Sequence, residues 1–189
     1  MGWDACAGLP SGGGLGMERV LVIGCPGAGK STFARALQGA TGLPLYYLDQ
    51  LFHLPDGSHV SQADFDEGLA AILKAPRWII DGNYQRTLAP RLARCDTVFL
   101  LDYPLSVCLA GAAARIGKAR PDMPWIERTF DPAFRQWILD FPTAQRPQLY
   151  AQLAQYKENK QYIIFHSREE STIWLENWAK AQKGVGIEY

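Results

Sequence analysis

The run G-C-P-G-A-G-K-S-T at 24–32 constrains this chain more than any other feature. It satisfies G-x-x-x-x-G-K-[ST], and its setting is the one such a loop needs. R-V-L-V-I at 19–23 is apolar on nearly every position, as a strand buried on both faces must be. Residues 30–40 follow as a helix, with Phe33, Ala36 and Leu37 on one stripe. With Gly at ~7% of residues the bare pattern arises by accident in roughly one chain in a hundred of this size, and the flanking elements make accident rarer still.

Glycines in such a loop permit tight turns and bring backbone N–H groups close to phosphate oxygens. The following helix adds the positive end of its dipole. Gly24, Gly27, Ala28, Gly29, Lys30, Ser31 and Thr32 are therefore the expected phosphate seat. Lys30 should reach the β- and γ-phosphates and the Ser31 hydroxyl should ligate Mg²⁺, with Thr32 supporting the α-phosphate. ATP with Mg²⁺ is the expected ligand pair, although the loop alone would equally serve an ATPase, a GTPase or a kinase. Cys25 occupies a variable position of the motif and reads as packing.

The rest of the chain alternates strand and helix. Strands are expected at 43–48, 78–80, 97–101 and 161–165, and helices at 61–74, 104–116, 131–140, 146–158 and 169–183, with Ser61 as an N-cap and Pro104 in a first turn. The alternation implies an α/β domain with a five-stranded parallel sheet and right-handed crossovers, the three-layer P-loop NTPase fold. One domain is expected over 17–189, with an acceptor insert at about 50–76 and a short basic lid at about 117–130. Residues 1–16 are Gly-rich and read as a flexible extension, Met17 making a natural start for the folded part.

Lys plus Arg and Asp plus Glu both number 19, so no global charge draws the chain to nucleic acid. No apolar run approaches the ~18 residues that span a bilayer. The four cysteines, Cys6, Cys25, Cys95 and Cys108, form no C-x-x-C pair, which fits a reducing compartment, the cytoplasm. A monomer or homodimer is expected.

In an open parallel sheet, ligands bind beyond the carboxyl ends of the strands. Asp49, Asp81 and Asp102 occupy such ends. Hydrated Mg²⁺ needs only one carboxylate near Ser31. W-I-I-D at 78–81 and F-L-L-D at 99–102 both qualify, and composition does not choose between them.

The loop, D-G-N-Y-Q-R-T at 81–87 and L-D-Y-P at 101–104 resemble the adenylate-kinase-related P-loop kinases. L-D-Q-L-F-H at 48–53, W-I-I-D-G-N-Y at 78–84, R-P-D-M-P at 120–124 and F-H-S-R at 165–168 are similar to the small bacterial proteins labelled DNA topology modulation proteins, over roughly residues 17 to 180. The resemblance implies a nucleoside-monophosphate-kinase-like fold. It implies that Asp81 is the metal-side acid, Arg86 a clamp on an acceptor phosphate, and Arg115 a lid-hinge arginine. Arg120 joins Arg115 as the preferred lid pair to stabilise charge on the transferring phosphoryl group. Asp49 resembles the acid with which small-molecule P-loop kinases orient an acceptor hydroxyl.

Asp49 and His53 replace an AMP pocket, and Gly111 stands where the adenylate kinases carry an arginine; both departures point away from AMP as acceptor. Asn83 and Tyr84 are expected to line the acceptor pocket. His53, His59 and His166 read as loop residues, and Trp125, Phe130, Phe134 and Trp137 as core or lid packing.

The leading expectation is a kinase passing the γ-phosphoryl group to a nucleotide or other small molecule. The competing classes are a regulatory ATP-binding protein acting on DNA topology and a plain nucleotide hydrolase. Neutral net charge and the lack of a helix-turn-helix or zinc-finger pattern make direct, tight DNA binding unexpected. The lid arginines and Asp49 favour transfer over hydrolysis.

Overall fold

β1 (Arg19–Gly24), β3 (Trp78–Asp81) and β4 (Thr97–Leu101) are buried along nearly their whole length, which accounts for their unbroken apolar sequences. With β2 (Leu45–Tyr47) and β5 (Gln161–Phe165) they form one parallel sheet in the order β2-β3-β1-β4-β5. The computed structural model of the chain describes residues 16–184, so Cys6 and the expected extension up to residue 15 lie outside the described residues.

The register sets the site. Val22 pairs with Asp81, and Gly24 pairs with Leu101, immediately before Asp102. The phosphate loop therefore leaves the central strand between two acid-tipped neighbours. From β1 the chain runs outward to β2, whereas β3 to β4 and β4 to β5 run the opposite way. Right-handed crossovers put the connecting helices on opposite faces, giving three layers.

α1 (Lys30–Thr41) buries Phe33, Ala34 and Leu37 and stops at Gly42, whose φ of 69° lets its N–H close on the Gln38 carbonyl. It packs against α8 (Arg168–Gly184), and the rings of Phe33, Phe99, Phe165 and Trp174 interlock between helix and sheet. On the other face α4 (Leu88–Arg94) packs against α7 (Arg146–Gln155).

Two helices were not expected. α2 (Leu48–Phe52) begins where β2 was expected to end, so Asp49 lies in the first turn of a short helix rather than on a strand tip. α4 was not anticipated at all. α3 (Gln62–Lys74) begins as read, the Ser61 hydroxyl accepting from the Asp64 N–H at 3.1 Å. α5 (Leu105–Ala113) is followed by an irregular segment up to α6 (Pro132–Asp140), and a π-helical turn at 141–145 joins α6 to α7. Trp137 stays 41% exposed, so it is not a core residue.

Candidate active site

The phosphate loop closes a cleft of about 1120 Å³ at the carboxyl end of the sheet. Gly24, Gly27 and Gly29 hold φ at 143°, 81° and 98°, conformations that side chains resist. At Gly24 and Gly27 space forbids them too. A Cβ at Gly24 would lie 2.4 Å from the Leu101 carbonyl oxygen, and one at Gly27 would lie 2.0 Å from that of Cys108. The Lys30 ammonium donates to the carbonyls of Gly24 at 3.1 Å and Cys25 at 3.2 Å, which pins it at the head of the loop.

Gly111 now has a physical reason. α5 lies flat on the loop, and a Cβ at Gly111 would stand 2.0 Å from the Gly27 carbonyl oxygen. The arginine of the adenylate kinases has no room there. Arg168 reaches this space from the start of α8, its guanidinium 3.5 Å from the Gly27 carbonyl. Arg168 closes the F-H-S-R motif, whose sequence alone assigns it no role at the site.

Asp81 and Asp102 have different surroundings. Asp81 is buried beside Ser31 and Lys30, and one of its oxygens, Oδ1, has no hydrogen-bond partner among the described residues. Burial pushes its carboxyl up to about 6, with the Lys30 ammonium and the Ser31 hydroxyl opposing the rise. Asp102 is engaged elsewhere. Arg146 binds it with distances of 2.6 to 3.0 Å, and the Tyr150 hydroxyl donates to it at 2.7 Å. An orphaned carboxylate oxygen next to a serine hydroxyl fits a divalent cation, and Ser31 with Asp81 are the residues that would hold it.

Across the cleft stands Asp49, whose Oδ1 accepts from the Tyr84 hydroxyl at 2.9 Å. His53 lines the cleft one helical turn on; its Nδ1 is buried without a partner among the described residues, and its ring meets the edge of Trp125 at 4.7 Å. Burial holds its pKa below the usual histidine range, against the pull of Asp49. His53 is thus a wall of the cleft rather than a plain loop residue, and Trp125 packs against it.

Arg115 and Arg120 both line the cleft. Arg115 pairs with Glu127 at 2.8 Å and lies over the Phe134 ring, while Arg120 bridges Asp122 at 3.1 Å and Glu127 at 3.5 Å. Asp122 also pairs with Arg35 of α1 at 3.6 Å, and the Gln50 carboxamide donates to the Pro121 carbonyl. The segment after α5 is therefore docked on both α1 and α2.

Two expected residues lie elsewhere. Arg86 turns away from the cleft to Asp66 of α3, at 2.6 Å, with about half of each side chain exposed. Asn83 faces the phosphate loop instead of the acceptor side, accepting from the Gly24 N–H at 3.0 Å and donating to the Gly24 carbonyl at 2.7 Å. Cys25 is buried against Cys108, and a thiol–thiol hydrogen bond to Cys108 together with burial raises its pKa, so it packs as expected and is no ready nucleophile.

Neither models of protein families nor curated proteins match the sequence. Solved structures do match the fold. A shikimate kinase from Bacteroides thetaiotaomicron superposes with a TM-score of 0.56 at 18% identity, over 88% of this chain and 99% of that one. A shikimate kinase from Acinetobacter baumannii, in complex with shikimate, gives 0.56 at 15% identity over 92% and 97%. A sugar kinase from Janibacter sp. HTCC2649 gives 0.50 at 19% identity over 91% and 99%. At such identities the likeness is one of architecture, and the chain has the fold of small-molecule P-loop kinases.

Proposed function

We propose that the chain is an ATP-dependent phosphotransferase whose acceptor is a hydroxyl group of a small uncharged molecule. The observation that carries this reading is the opposition, in one cleft, of the phosphate loop with Lys30 and the β3 carboxylate Asp81 to a second carboxylate, Asp49, steadied by Tyr84. The loop amides and Lys30 would take the donor's phosphates, and Ser31 with Asp81 would hold Mg²⁺. When bound, that ion supplies neutralisation of phosphate charge. Asp49 orients the acceptor hydroxyl and takes its proton as the new O–P bond forms and the bond to ADP breaks. Arg115 and Arg120 line the same space and can offset the charge that develops.

The acceptor class follows from its wall. Asp49, a neutral His53 and Trp125 face it, the Arg115 guanidinium is committed to Glu127, and Arg86 is held outside on Asp66. An acceptor bearing its own phosphate would meet the Asp49 carboxylate, with Arg115 and Arg120 already partly neutralised by Glu127 and Asp122. The adenylate-kinase-like part of the resemblance therefore supports the donor side of this reading, while the acceptor side sits better with kinases of small alcohols. The shared motifs of the DNA topology modulation proteins support the same enzyme reading, which needs no contact with DNA.

The test is purified protein with γ-labelled ATP and a panel of polyols, sugars, nucleosides and nucleoside monophosphates. Label should move to one uncharged hydroxyl compound and be lost in Lys30→Ala and Asp49→Asn. Label released only as free phosphate sinks the transferase reading. Label on a monophosphate sinks the acceptor class alone.

A further inference from the structure

The turn after β3 ties the two halves of the cleft together through one side chain. The Asn83 carboxamide grips both backbone groups of a single residue 59 positions away, taking the Gly24 N–H at 3.0 Å and giving a hydrogen bond to the Gly24 carbonyl at 2.7 Å. That same carbonyl accepts from the Lys30 ammonium at 3.1 Å. A loop asparagine serving only its own turn would bond to neighbours two to four residues away. Here the turn keeps its shape by other means. Arg91, fully buried, donates to the carbonyls of Gly82, Asn83, Tyr84 and Thr87. Asn83 is left free to reach the phosphate loop.

The consequence lies in the donor count of Lys30. An ammonium has three donors. Two are spent on Gly24 and Cys25, so the direction of the third is set by where those two carbonyls stand. Cys25 has a second bond from the Ala28 N–H within the loop. Gly24 has no side chain of its own and is fixed by Asn83. The residue following Asn83 is Tyr84, whose hydroxyl holds Asp49.

We infer that Asn83 is a positioning residue: it orients Lys30 through the Gly24 carbonyl and holds that ammonium in register with Asp49 on the far side of the cleft. The inference rests on the phosphotransferase reading for its purpose, but not for its test. The test is the affinity for Mg·ADP, measured by calorimetry on the full chain and three variants: Asn83→Ala, Lys30→Met and the double substitution. Loss of the clamp should weaken Mg·ADP by about tenfold when Lys30 is present, the scale of one or two hydrogen bonds. In the Lys30→Met background the same substitution should change affinity by less than about twofold, because the effect travels through Lys30. General damage to the loop would instead give equal losses in both backgrounds and would overturn the inference, as would an unchanged affinity in Asn83→Ala.

Asn83→Asp gives a second reading should the alanine variant lose its fold. It keeps the acceptor for the Gly24 N–H and removes the donor to the Gly24 carbonyl. Weakened Mg·ADP binding is expected there too, and wild-type affinity would overturn the inference. Because the measurement is of nucleotide binding, its failure leaves transfer to an acceptor standing, and failure of the label-transfer assay leaves the clamp standing.

Discussion

The Tyr84 hydroxyl donates to Asp49 Oδ1 at 2.9 Å from a backbone held at φ 34° and ψ 68°, a left-handed conformation unusual for so large a residue. Its ring is stacked on Phe65 with centroids 5.1 Å apart and meets Phe52 edge-on at 5.5 Å. Burial and the neighbouring Asp49 charge raise the phenol's pKa, so it remains a donor across the working pH range. Backbone strain is retained where the surroundings over-determine it, and here the carbonyl bonds from Arg91 and the aromatic stack do so.

Tyr84→Phe keeps the stack and removes only the hydroxyl. The Asp49 carboxylate then loses the hydrogen bond from Tyr84, and its orientation toward an acceptor loosens. Turnover should fall about tenfold, the scale of one charge-assisted hydrogen bond, with Mg·ADP affinity unchanged within about twofold. Steady-state kinetics with the acceptor found in the label-transfer panel, beside calorimetry with Mg·ADP, checks this. An equal loss in both would place Tyr84 in the fold rather than in the reaction.

Asp81→Asn should stabilise the protein while disabling it. The Asp81 carboxyl sits at about 6 in the folded chain against 3.8 for an ordinary aspartate. Between those values the folded state holds a proton that the unfolded chain has released, so this group's contribution falls as pH rises through that window. The full penalty, on the order of 3 kcal/mol, is present above about pH 6 and absent below about pH 4. At pH 7.5 without Mg²⁺, Asp81→Asn should therefore melt several degrees higher than wild type, and the gap should close near pH 4. Adding Mg·ADP should raise the wild-type melting temperature more than that of the variant. A variant melting below wild type at pH 7.5 would show that the carboxylate is better satisfied than its lone Oδ1 implies.

The phosphate loop, its flanking elements and the sheet were legible because their signals are local: glycines at fixed spacing, and apolar runs too unbroken for a half-exposed strand. The choice between Asp81 and Asp102 was not, since both end apolar runs and what separates them is a partner, Arg146, 44 residues further along. Arg86 failed for the same reason. Its place in the motif matches a clamp, but Asp66, 20 residues earlier, lies on the helix beside it. α2 carried a faint signal in the spacing of Leu48, Leu51 and Phe52, drowned by the Pro, Gly and Asp that follow. α4 hid behind Pro90, tolerated because it falls in the first turn, and behind Arg91, a charged residue at a core position. Patterns of apolar residues cannot show a buried guanidinium whose partners are backbone carbonyls.

Gly111→Ala tests the contact of α5 with the phosphate loop. The added methyl would start 2.0 Å from the Gly27 carbonyl oxygen and 2.8 Å from the Arg168 guanidinium. The side chain can move; the carbonyl belongs to the loop and cannot move without shifting the phosphate seat. Mg·ADP affinity should drop at least tenfold, and the melting temperature should fall by a few degrees, as overpacked substitutions do. Wild-type affinity in this variant would mean that the loop has slack that its glycines do not reveal.

Arg91 sets the shape of everything after β3. Its guanidinium is completely buried, and burial pulls its pKa down to about 9, which leaves it charged at neutral pH. Four backbone carbonyls between Gly82 and Thr87 accept from it, and no carboxylate among the described residues is paired with it. Arg91→Met fills much of the volume but strands carbonyls that water cannot reach, at about 1–3 kcal/mol each where no new donor appears. Arg91→Lys keeps the charge, yet a point-like ammonium with three donors cannot reproduce the planar fork. Chemical denaturation should show both variants less stable than wild type, the methionine form by about 3 kcal/mol or more and the lysine form by less. The turn carries Asn83 to Gly24 and Tyr84 to Asp49, so the lysine form, if folded, should also lose nucleotide affinity and turnover together. A lysine variant with wild-type turnover would show that Tyr84 keeps its left-handed backbone without the Arg91 bonds, leaving the aromatic stack with Phe65 as its support.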